Sequence, residues 1–377
     1  MNPMATNHIE KKVMEIFEHL HTHPEISWKE TETTQFIKNI LIENGCRVRT
    51  FDDCTGVIGE IGEGKPVVGI RADMDALWQE VDGKFQANHS CGHDSHMSMA
   101  LGVLLSIKDM EHTPDGTIRF IFQPAEEKGT GALKMVEKNV VDDVDFLYGV
   151  HLRPIQEVEN GMATPALFHG AARHINGEIK GEDTHGARPH LGVNAIEIGA
   201  ELVQKLNHIH MDPMIPHSVK FTKFQAGGES ANIIPGNATF SIDLRAQRND
   251  TIEELTTSVQ EAVQSVSDYY GVPIDLSLES MMASAIVDPE AQEIMAESIK
   301  EVLGEENLVD PVTTTGSEDF HFYTLKKEHI KASVLGLGCD LKPGLHHPNM
   351  SFDHGMIMPG VRILTGAVLK TLEHFNF

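Results

Sequence analysis

The chain has 377 residues, and its 56 acidic against 30 basic side chains give a formal net charge of −26. A chain of this length is too long for one simple hydrophobic core, so we expect one large and one smaller domain. The acidic excess argues against a protein that binds nucleic acid or anionic membranes, because both need clustered Lys and Arg.

The cell compartment can be predicted from the cysteines and from apolar runs. No apolar stretch reaches the ~18 residues that a membrane helix needs, and residues 1–12 have no apolar segment behind a basic one, so we expect no signal peptide. The four cysteines show no disulfide framework: Cys46, Cys54, Cys91 and Cys339. We therefore expect a reducing, cytoplasmic setting.

The first part of the chain predicts helices alternating with strands. Apolar residues at helical spacing predict helices at 8–21, 31–44, 95–110 and 132–139. Branched runs predict strands at 47–51, 56–61, 66–72, 117–123 and 144–150, with a polar loop between Asp75 and Asn88. This alternation predicts an α/β fold with a mixed, mostly parallel, doubly wound sheet. Ligands of such sheets bind beyond the carboxyl ends of the strands.

The pattern changes near residue 171. Strands predicted at 174–180, 218–224, 238–245 and 273–278 combine with helices at 193–210 and 252–269. This β-α-β-β-α-β order favours an antiparallel sheet with two helices, an α+β domain over 172–282. Helices at 289–303 and 358–375 and a strand at 333–337 then return to the first domain. The larger domain is therefore predicted to be discontinuous, 1–171 and 283–377, with the smaller one inserted.

Side chains that bind metals gather at the predicted strand ends. The stretch 88–96 holds three imidazoles, a thiol and a carboxylate just before an apolar run. These are the groups that hold transition metals, although a lone Cys or His is more often an ordinary buried or surface residue. Three further donor-bearing loops follow predicted strands. The candidate ligands are Cys91, His93, Glu127, His151 and His346.

Five ligands exceed the three that a single catalytic zinc usually takes, so a two-metal site with one bridging ligand is favoured. Cys91 is the candidate bridge, since a thiolate has lone pairs for two ions. The adjacent Glu126 and Glu127 indicate a division of roles. One carboxylate binds metal, and the other takes the proton of a water whose pKa the metal lowers towards ~7. Simple solvation is the alternative for such a pair.

Three residues of the inserted domain are candidates for binding substrate. His185 can donate a hydrogen bond to a developing oxyanion, and Asn232 and Arg245 can bind a substrate carboxylate. A surface histidine and a structural arginine are equally consistent with the sequence. Five other histidines are predicted to be surface or capping residues: His19, His21, His23, His208 and His210.

The motifs as a set resemble a family, the dinuclear metallo-amidohydrolases related to aminoacylases and carboxypeptidase G, and within it the branch of hippurate hydrolases and indole-acetyl-amino-acid hydrolases. They run in family order across nearly the whole chain. They are Arg71-Ala72-Asp73-Met74-Asp75-Ala76-Leu77, Cys91-Gly92-His93-Asp94, Phe122-Gln123-Pro124-Ala125-Glu126-Glu127, Gly149-Val150-His151, His185-Gly186-Ala187-Arg188-Pro189-His190, Asn232-Ile233-Ile234-Pro235, Glu318-Asp319-Phe320 and Leu345-His346-His347-Pro348.

The resemblance implies a zinc-exopeptidase-like sheet and a lid domain that also forms a homodimer contact. It implies that Cys91 bridges two divalent ions and that Glu126 is the general base and acid. The other implied ligands are His93, Glu127, His151 and His346, where His346 rather than His347 fits the His-x-Pro motif. It places His185 on the lid, with Asn232 and Arg245 where family members contact substrate. We expect Asp73, Asp75 and Asp94 to contact the metal ligands without binding the metal themselves.

Trp78 departs from the family, which often has Pro there, and the connection from Trp78 to His89 looks short. Substrate choice is therefore not carried over. Our hypothesis is metal-dependent hydrolysis of an N-acyl amino acid or a related small amide, with Mn²⁺, Zn²⁺, Co²⁺ or Ni²⁺. Two alternatives stay open: a catalytically silent, metal-dependent ligand-binding or sensor protein on the same scaffold, and a cysteine hydrolase with Cys91 as nucleophile.

Overall fold

A computed structural model describes residues 3–110 and 115–374, with only the backbone of residues 3–7 and 280. The last residue of the helix predicted at 358–375 lies outside these ranges. The chain forms two compact units. The first comprises Met1–Phe168, Ile286–Thr313 and Asp319–Phe377, and the second His169–Ala285 and Thr314–Glu318.

The helices and strands are numbered along the chain. The helices are α1 Pro3–Thr22, α2 Thr31–Glu43, α3 His93–Lys108, α4 Gly131–Glu137, α5 Ala195–Asn207, α6 Asn249–Tyr270, α7 Pro289–Leu303, α8 His321–Lys326 and α9 Ile357–His374. The strands are β1 Arg47–Thr50, β2 Val57–Glu63, β3 Val67–Asp73, β4 Leu77–Val81, β5 Lys84–Asn88, β6 Gly116–Gln123, β7 Phe146–Pro154, β8 Ala163–Thr164, β9 Leu167–His169, β10 Ala171–Lys180, β11 Thr184–His185, β12 His217–Ala226, β13 Ile233–Ile234, β14 Asn237–Ala246, β15 Ile274–Met282, β16 Val312–Thr314 and β17 Lys331–Leu341. Short 3-10 helices cover Glu126–Lys128, Pro189–Leu191, Glu305–Asn307 and His354–Met356.

The first unit is built on a seven-stranded mixed sheet in the order β1-β2-β6-β3-β7-β17-β8. Its four inner strands, β6, β3, β7 and β17, run parallel, whereas β1, β2 and β8 pair antiparallel. Every residue of β3 and β6 is buried, as in strands covered on both faces. Helix α3 packs against α1 and α9, and α4 packs against β6 and α8. The predicted mixed, mostly parallel sheet is confirmed.

The segment His354–His374, which contains α9, is long and apolar enough to cross a membrane by length and composition alone. This differs from the prediction that no apolar stretch is long enough for a membrane helix. Inside the structure, 67% of its apolar window is buried, and α9 packs against α3 and α7. Burial of that kind is typical of a helix in a protein core.

The second unit has a four-stranded antiparallel sheet in the order β12-β14-β10-β15. Helices α5 and α6 pack against it and bury a separate apolar core. Phe240 stacks on Phe221 with ring centroids 5.1 Å apart, and a Cβ at Gly177 would lie 2.1 Å from the Phe240 ring. Only glycine fits there. The predicted β-α-β-β-α-β order is observed, and a role in dimerisation stays a prediction.

The polar loop predicted between Asp75 and Asn88 is wrong, because β4 and β5 form a hairpin there. Its turn, Asp82-Gly83, has φ values of 51° and 77°, and Asp-Gly is a strong signal for a two-residue turn with both residues at positive φ. The side chain of Gln79 donates a hydrogen bond to the carbonyl of His346 at 2.7 Å. The hairpin therefore supports a loop that carries a candidate ligand.

Candidate metal centre

The sheet of the first unit brings four donor-bearing segments to one edge. Strand β3 ends at Asp73, and β6 ends just before the Glu126–Lys128 turn. His151 lies on β7 beyond Tyr148, the last residue that pairs with β3. The His346 loop joins them, because its backbone N–H donates to the carbonyl of Ser90 at 2.8 Å.

Three turns around these donors each contain a residue in the left-handed backbone region. Gly92 has φ 85°, Ala125 φ 51° and His346 φ 64°. Residues other than glycine adopt this region at a cost, and such strain persists where the surrounding structure fixes it, often at functional sites. These tight turns set the direction of the side chains of His93, which follows Gly92, of Glu126, which follows Ala125, and of His346 itself.

All five predicted ligands come together. Two sets of three donors share the Cys91 thiol: Cys91 with His93 and His151, and Cys91 with Glu127 and His346. Within each set the candidate ligand atoms lie within 4.8 Å of one another. The Cys91 Sγ is 3.7 Å from His151 Nε2, and His346 Nε2 is 3.3 Å from Glu127 Oε1.

One buried polar atom at this cluster, His93 Nε2, has no hydrogen-bond partner among the described residues. The other nitrogen of His93, Nδ1, donates to the carbonyl of Asp75 at 2.8 Å, so Nε2 faces the cluster. An unpaired buried polar atom costs about 1–3 kcal/mol, and a divalent cation would give this nitrogen a partner. Imidazole, carboxylate and thiol suit such an ion.

The cluster carries a surplus of carboxylates, and the pKa values of two histidines reflect their surroundings. Burial lowers the pKa of His93, but Asp73, Cys91 and Asp75 outweigh it and raise the pKa well above its usual value. His151 differs, since burial and then His96 and Arg153 lower its pKa well below the usual value. A bound cation would offset the negative charge around His93.

The thiol of Cys91 is not an activated nucleophile. Burial, and then the neighbouring Glu127, raise its pKa to about 12. Catalytic cysteines instead have a lowered pKa, because the thiolate is the reactive form. This counts against a cysteine hydrolase, whereas a metal ligand would lose its proton on coordination.

Asp75 fixes the two adjacent glutamates. Its carboxylate accepts hydrogen bonds from the backbone N–H of Glu126 at 3.1 Å and of Glu127 at 3.0 Å. The Glu126 side chain is buried at the cluster, with Oε2 3.9 Å from His93 Nε2. Its other oxygen, Oε1, accepts from the backbone N–H of Asp319 at 3.4 Å. The carboxylate is therefore held from two sides.

Asp73 and Asp94 each bind a histidine that was not among the predicted site residues. Asp73 Oδ1 lies 2.7 Å from His96 Nδ1, and Asp94 Oδ2 lies 2.6 Å from His21 Nδ1. His21 was predicted as a surface or capping residue; it is half exposed, and the hydrogen bond to Asp94 raises its pKa. The spacing of His93 and His96, three apart on one helix, could have indicated His96. Nothing in the sequence links His21 to Asp94.

The substrate-binding candidates lie in the second unit. His185 pairs with Ile233 across β11 and β13, and the N–H of Gly186 donates to the carbonyl of Asn232 at 2.7 Å, so His185 and Asn232 are neighbours. Arg245 lies on β14, where its Nε donates to Asp243 at 3.0 Å. Their catalytic roles stay predictions.

Comparison with known proteins places the chain in a family. Residues 69–370 match Peptidase family M20/M25/M40. The N-acetyl-L-cysteine deacetylase of Bacillus subtilis is 30% identical and covers 99% of this chain and 91% of its own. The N-acyl-L-amino acid amidohydrolase of Geobacillus stearothermophilus is 35% identical over 65% of this chain and 71% of its own. The crystal structure of the YXEP protein of Bacillus subtilis, a dinuclear metal binding peptidase from the M20 family, has a TM-score of 0.82 at 25% identity and covers 97% of this chain and 99% of its own.

The fold and the donor cluster define a metal-dependent hydrolase. The chain belongs to Peptidase family M20/M25/M40. This confirms the resemblance seen in the motifs and the predicted class, a hydrolase that cleaves amide bonds with the help of metal.

Proposed function

We propose that this protein hydrolyses the amide bond of an N-acyl amino acid or a related small amide with two divalent ions, drawn from Mn²⁺, Zn²⁺, Co²⁺ and Ni²⁺. The observation that carries the proposal is the pair of donor sets that share Cys91, with Glu126 buried beside them. The deacetylase and amidohydrolase named above support the substrate class.

The two donor sets divide the ligands. Cys91, His93 and His151 would hold one ion, and Glu127 and His346 would complete the other with Cys91 as the bridge. When bound, such ions polarise the amide carbonyl and lower the pKa of water.

Glu126 moves the proton. It accepts a proton from the attacking water as the oxygen of that water bonds to the amide carbon, and it gives the proton to the leaving nitrogen as the C–N bond breaks. The products are a carboxylic acid and a free amine. Asp75 and the N–H of Asp319 hold Glu126 for both transfers, and a general base and acid in such a position contributes about 10²–10⁴-fold.

Three residues of the second unit complete the proposal. His185 would donate a hydrogen bond to the developing oxyanion, and Asn232 and Arg245 would bind the substrate carboxylate. Homodimer formation through this unit and a cytoplasmic location are also proposed.

The test measures free amine released from a panel of N-acyl amino acids, with acetyl and benzoyl groups. Chelator-stripped protein is assayed with and without added Mn²⁺ or Zn²⁺, beside a Cys91→Ser variant. We expect turnover that returns only with metal and is strongly reduced in the variant. Metal binding without turnover of any substrate would contradict the proposal and favour the sensor alternative.

A further inference from the structure

We propose that Asp319 and Arg71 are positioning residues: together with Asp73 they form a buried carboxylate–guanidinium–carboxylate bridge that holds both the metal ligands and the general base. We call it the Asp73–Arg71–Asp319 bridge. The inference rests on the proposed function for its catalytic part and on metal binding for the rest.

Arg71 stands at the centre of the bridge. Its guanidinium is only 2% exposed. Nη1 donates to Asp73 Oδ2 at 2.7 Å, Nη2 to Asp319 Oδ1 at 2.7 Å, and Nε to Gln123 Oε1 at 2.9 Å. A planar guanidinium fixes the directions of these bonds, which a lysine cannot do.

Asp319 connects the bridge to the general base. Its carboxylate accepts from Arg71, from the Gln123 amide at 2.9 Å and from the backbone N–H of Ala132 at 2.9 Å. With its carboxylate fixed in this way, its own backbone N–H donates to Glu126 Oε1 at 3.4 Å. Movement of Asp319 would therefore move a hydrogen bond at the base.

Asp73 connects the bridge to the ligand side. Its Oδ1 binds His96 Nδ1 at 2.7 Å, and His96 Nε2 accepts from the N–H of Leu152, next to the ligand His151, at 3.1 Å. Its Oδ2 lies 3.7 Å from the orphaned Nε2 of His93. Partners that hold metal ligands from behind typically change metal affinity or activity by 10–100-fold when they are mutated.

The net charge of the bridge also supports a role in metal binding. Two buried carboxylates surround one guanidinium, so the bridge carries one net negative charge behind the ligands. Charges interact strongly where water is excluded. The bridge therefore favours a divalent cation at the cluster, beyond its part in holding the fold together.

The chain offers a matched control for a merely structural role. Arg119, in the same sheet, donates to Glu60 and to Asp143, each at 2.6 Å. Asp143→Asn changes the same chemical group in the same kind of ion network, but its partners there are Arg119 and Glu60 rather than groups that contact the candidate ligands. Asp319→Asn places an amide NH₂ against the three donors that bind the carboxylate, namely Arg71, the Gln123 amide and the backbone N–H of Ala132.

The experiment compares full-length wild type, Asp319→Asn and Asp143→Asn. The dissociation constant for Co²⁺ is measured by competition with a chelator, and kcat and KM are measured separately on an amide that wild type hydrolyses. For Asp319→Asn we expect Co²⁺ affinity to fall about tenfold or more and kcat to fall at least about tenfold, with KM changed less than about threefold. For Asp143→Asn all three values should stay within about twofold of wild type.

The outcomes separate the two claims. Folded Asp319→Asn with wild-type Co²⁺ affinity and kcat overturns the bridge and leaves the hydrolase intact. If wild type binds Co²⁺ but cleaves no amide, the proposed function is overturned. The Co²⁺ affinity of Asp319→Asn relative to wild type then tests the bridge without kinetic data. If Asp319→Asn does not fold, the Arg71→Lys variant is measured instead. Lysine keeps the positive charge but lacks the planar guanidinium that binds both carboxylates. Wild-type Co²⁺ affinity in Arg71→Lys would overturn the bridge.

Discussion

The two ends of the central sheet each hold an arginine between carboxylates, yet they differ in what surrounds it. At the amino end, Arg119 binds Glu60 and Asp143, Arg47 lies 3.6 Å from Glu60, and Lys65 binds the neighbouring Asp145 at 2.8 Å, so three cations stand among these three carboxylates. At the carboxyl end, Arg71 is surrounded by more carboxylates than it can neutralise.

The ionised side chains at the two ends also differ in their exposure to solvent. The Arg119 side chain is 11% exposed and its partner Asp143 is 55% exposed, so water screens that network. Arg71 is 2% exposed, and Asp73 is fully buried. Burying unmatched carboxylates is costly unless a cation is bound. The amino end is therefore arranged for folding and the carboxyl end for holding metal.

The largest expected effect concerns Glu126 at the carboxyl end. Glu126→Gln should lower kcat by about 10²–10⁴-fold, because the amide cannot accept the proton of water. Metal content, measured by inductively coupled plasma mass spectrometry, should not change. Glu137→Gln, at an exposed glutamate of α4, is the control. A Glu126→Gln enzyme with kcat near wild type would remove the proton-transfer role.

The next prediction concerns the reactivity of the Cys91 thiol, which is buried at the carboxyl end of the sheet. Because its pKa is raised from 9.0 to about 12, the reactive thiolate at pH 8 is about 10³-fold scarcer than in an ordinary cysteine. Metal-stripped protein should therefore react slowly with iodoacetamide at Cys91, as followed by peptide mass spectrometry. Rapid labelling of Cys91 at pH 8 would revive the cysteine-hydrolase alternative.

Gly131 tests how tightly the Glu126 loop is packed. A Cβ there would lie 1.7 Å from the Pro124 carbonyl oxygen, so Gly131→Ala must displace backbone beside the general base. We expect the free energy of unfolding to fall by about 1–3 kcal/mol, measured by urea denaturation, together with a loss of kcat. Gly228→Ala, where a Cβ would meet nothing within 4 Å, is the control. Equal behaviour of the two variants would show that the loop is loosely packed.

The smallest effect is expected at the amino end. Asp143→Ala should lower the free energy of unfolding by only about 0.5–1 kcal/mol, since Asp143 is largely exposed and its ion pair is screened. Metal affinity should not change. A fall in Co²⁺ affinity would contradict the division of roles between the two ends.

The sequence predicted the parts of this arrangement that are local. Motifs at strand ends identified all the ligand candidates, because the carboxyl ends of parallel strands meet at one edge. The β4–β5 hairpin was missed although Asp82-Gly83 marks it, since its strands are short and partly polar.

Contacts between distant segments could not be predicted. Arg71 and Asp319 are 248 positions apart, and His21 and Asp94 are 73 apart. No spacing rule links such pairs, because three-dimensional packing alone brings them together. The motif around Asp319 was recognised in the sequence, but its connection to the general base was visible only once the chain was folded.

Anomalous diffraction from crystals grown with Mn²⁺ or Zn²⁺ tests the central claim most directly, that the carboxyl end of the sheet holds two divalent ions. We expect two peaks, one among Cys91, His93 and His151 and one among Cys91, Glu127 and His346. Absence of metal at this cluster, in protein that diffracts with the ion present, would contradict the account.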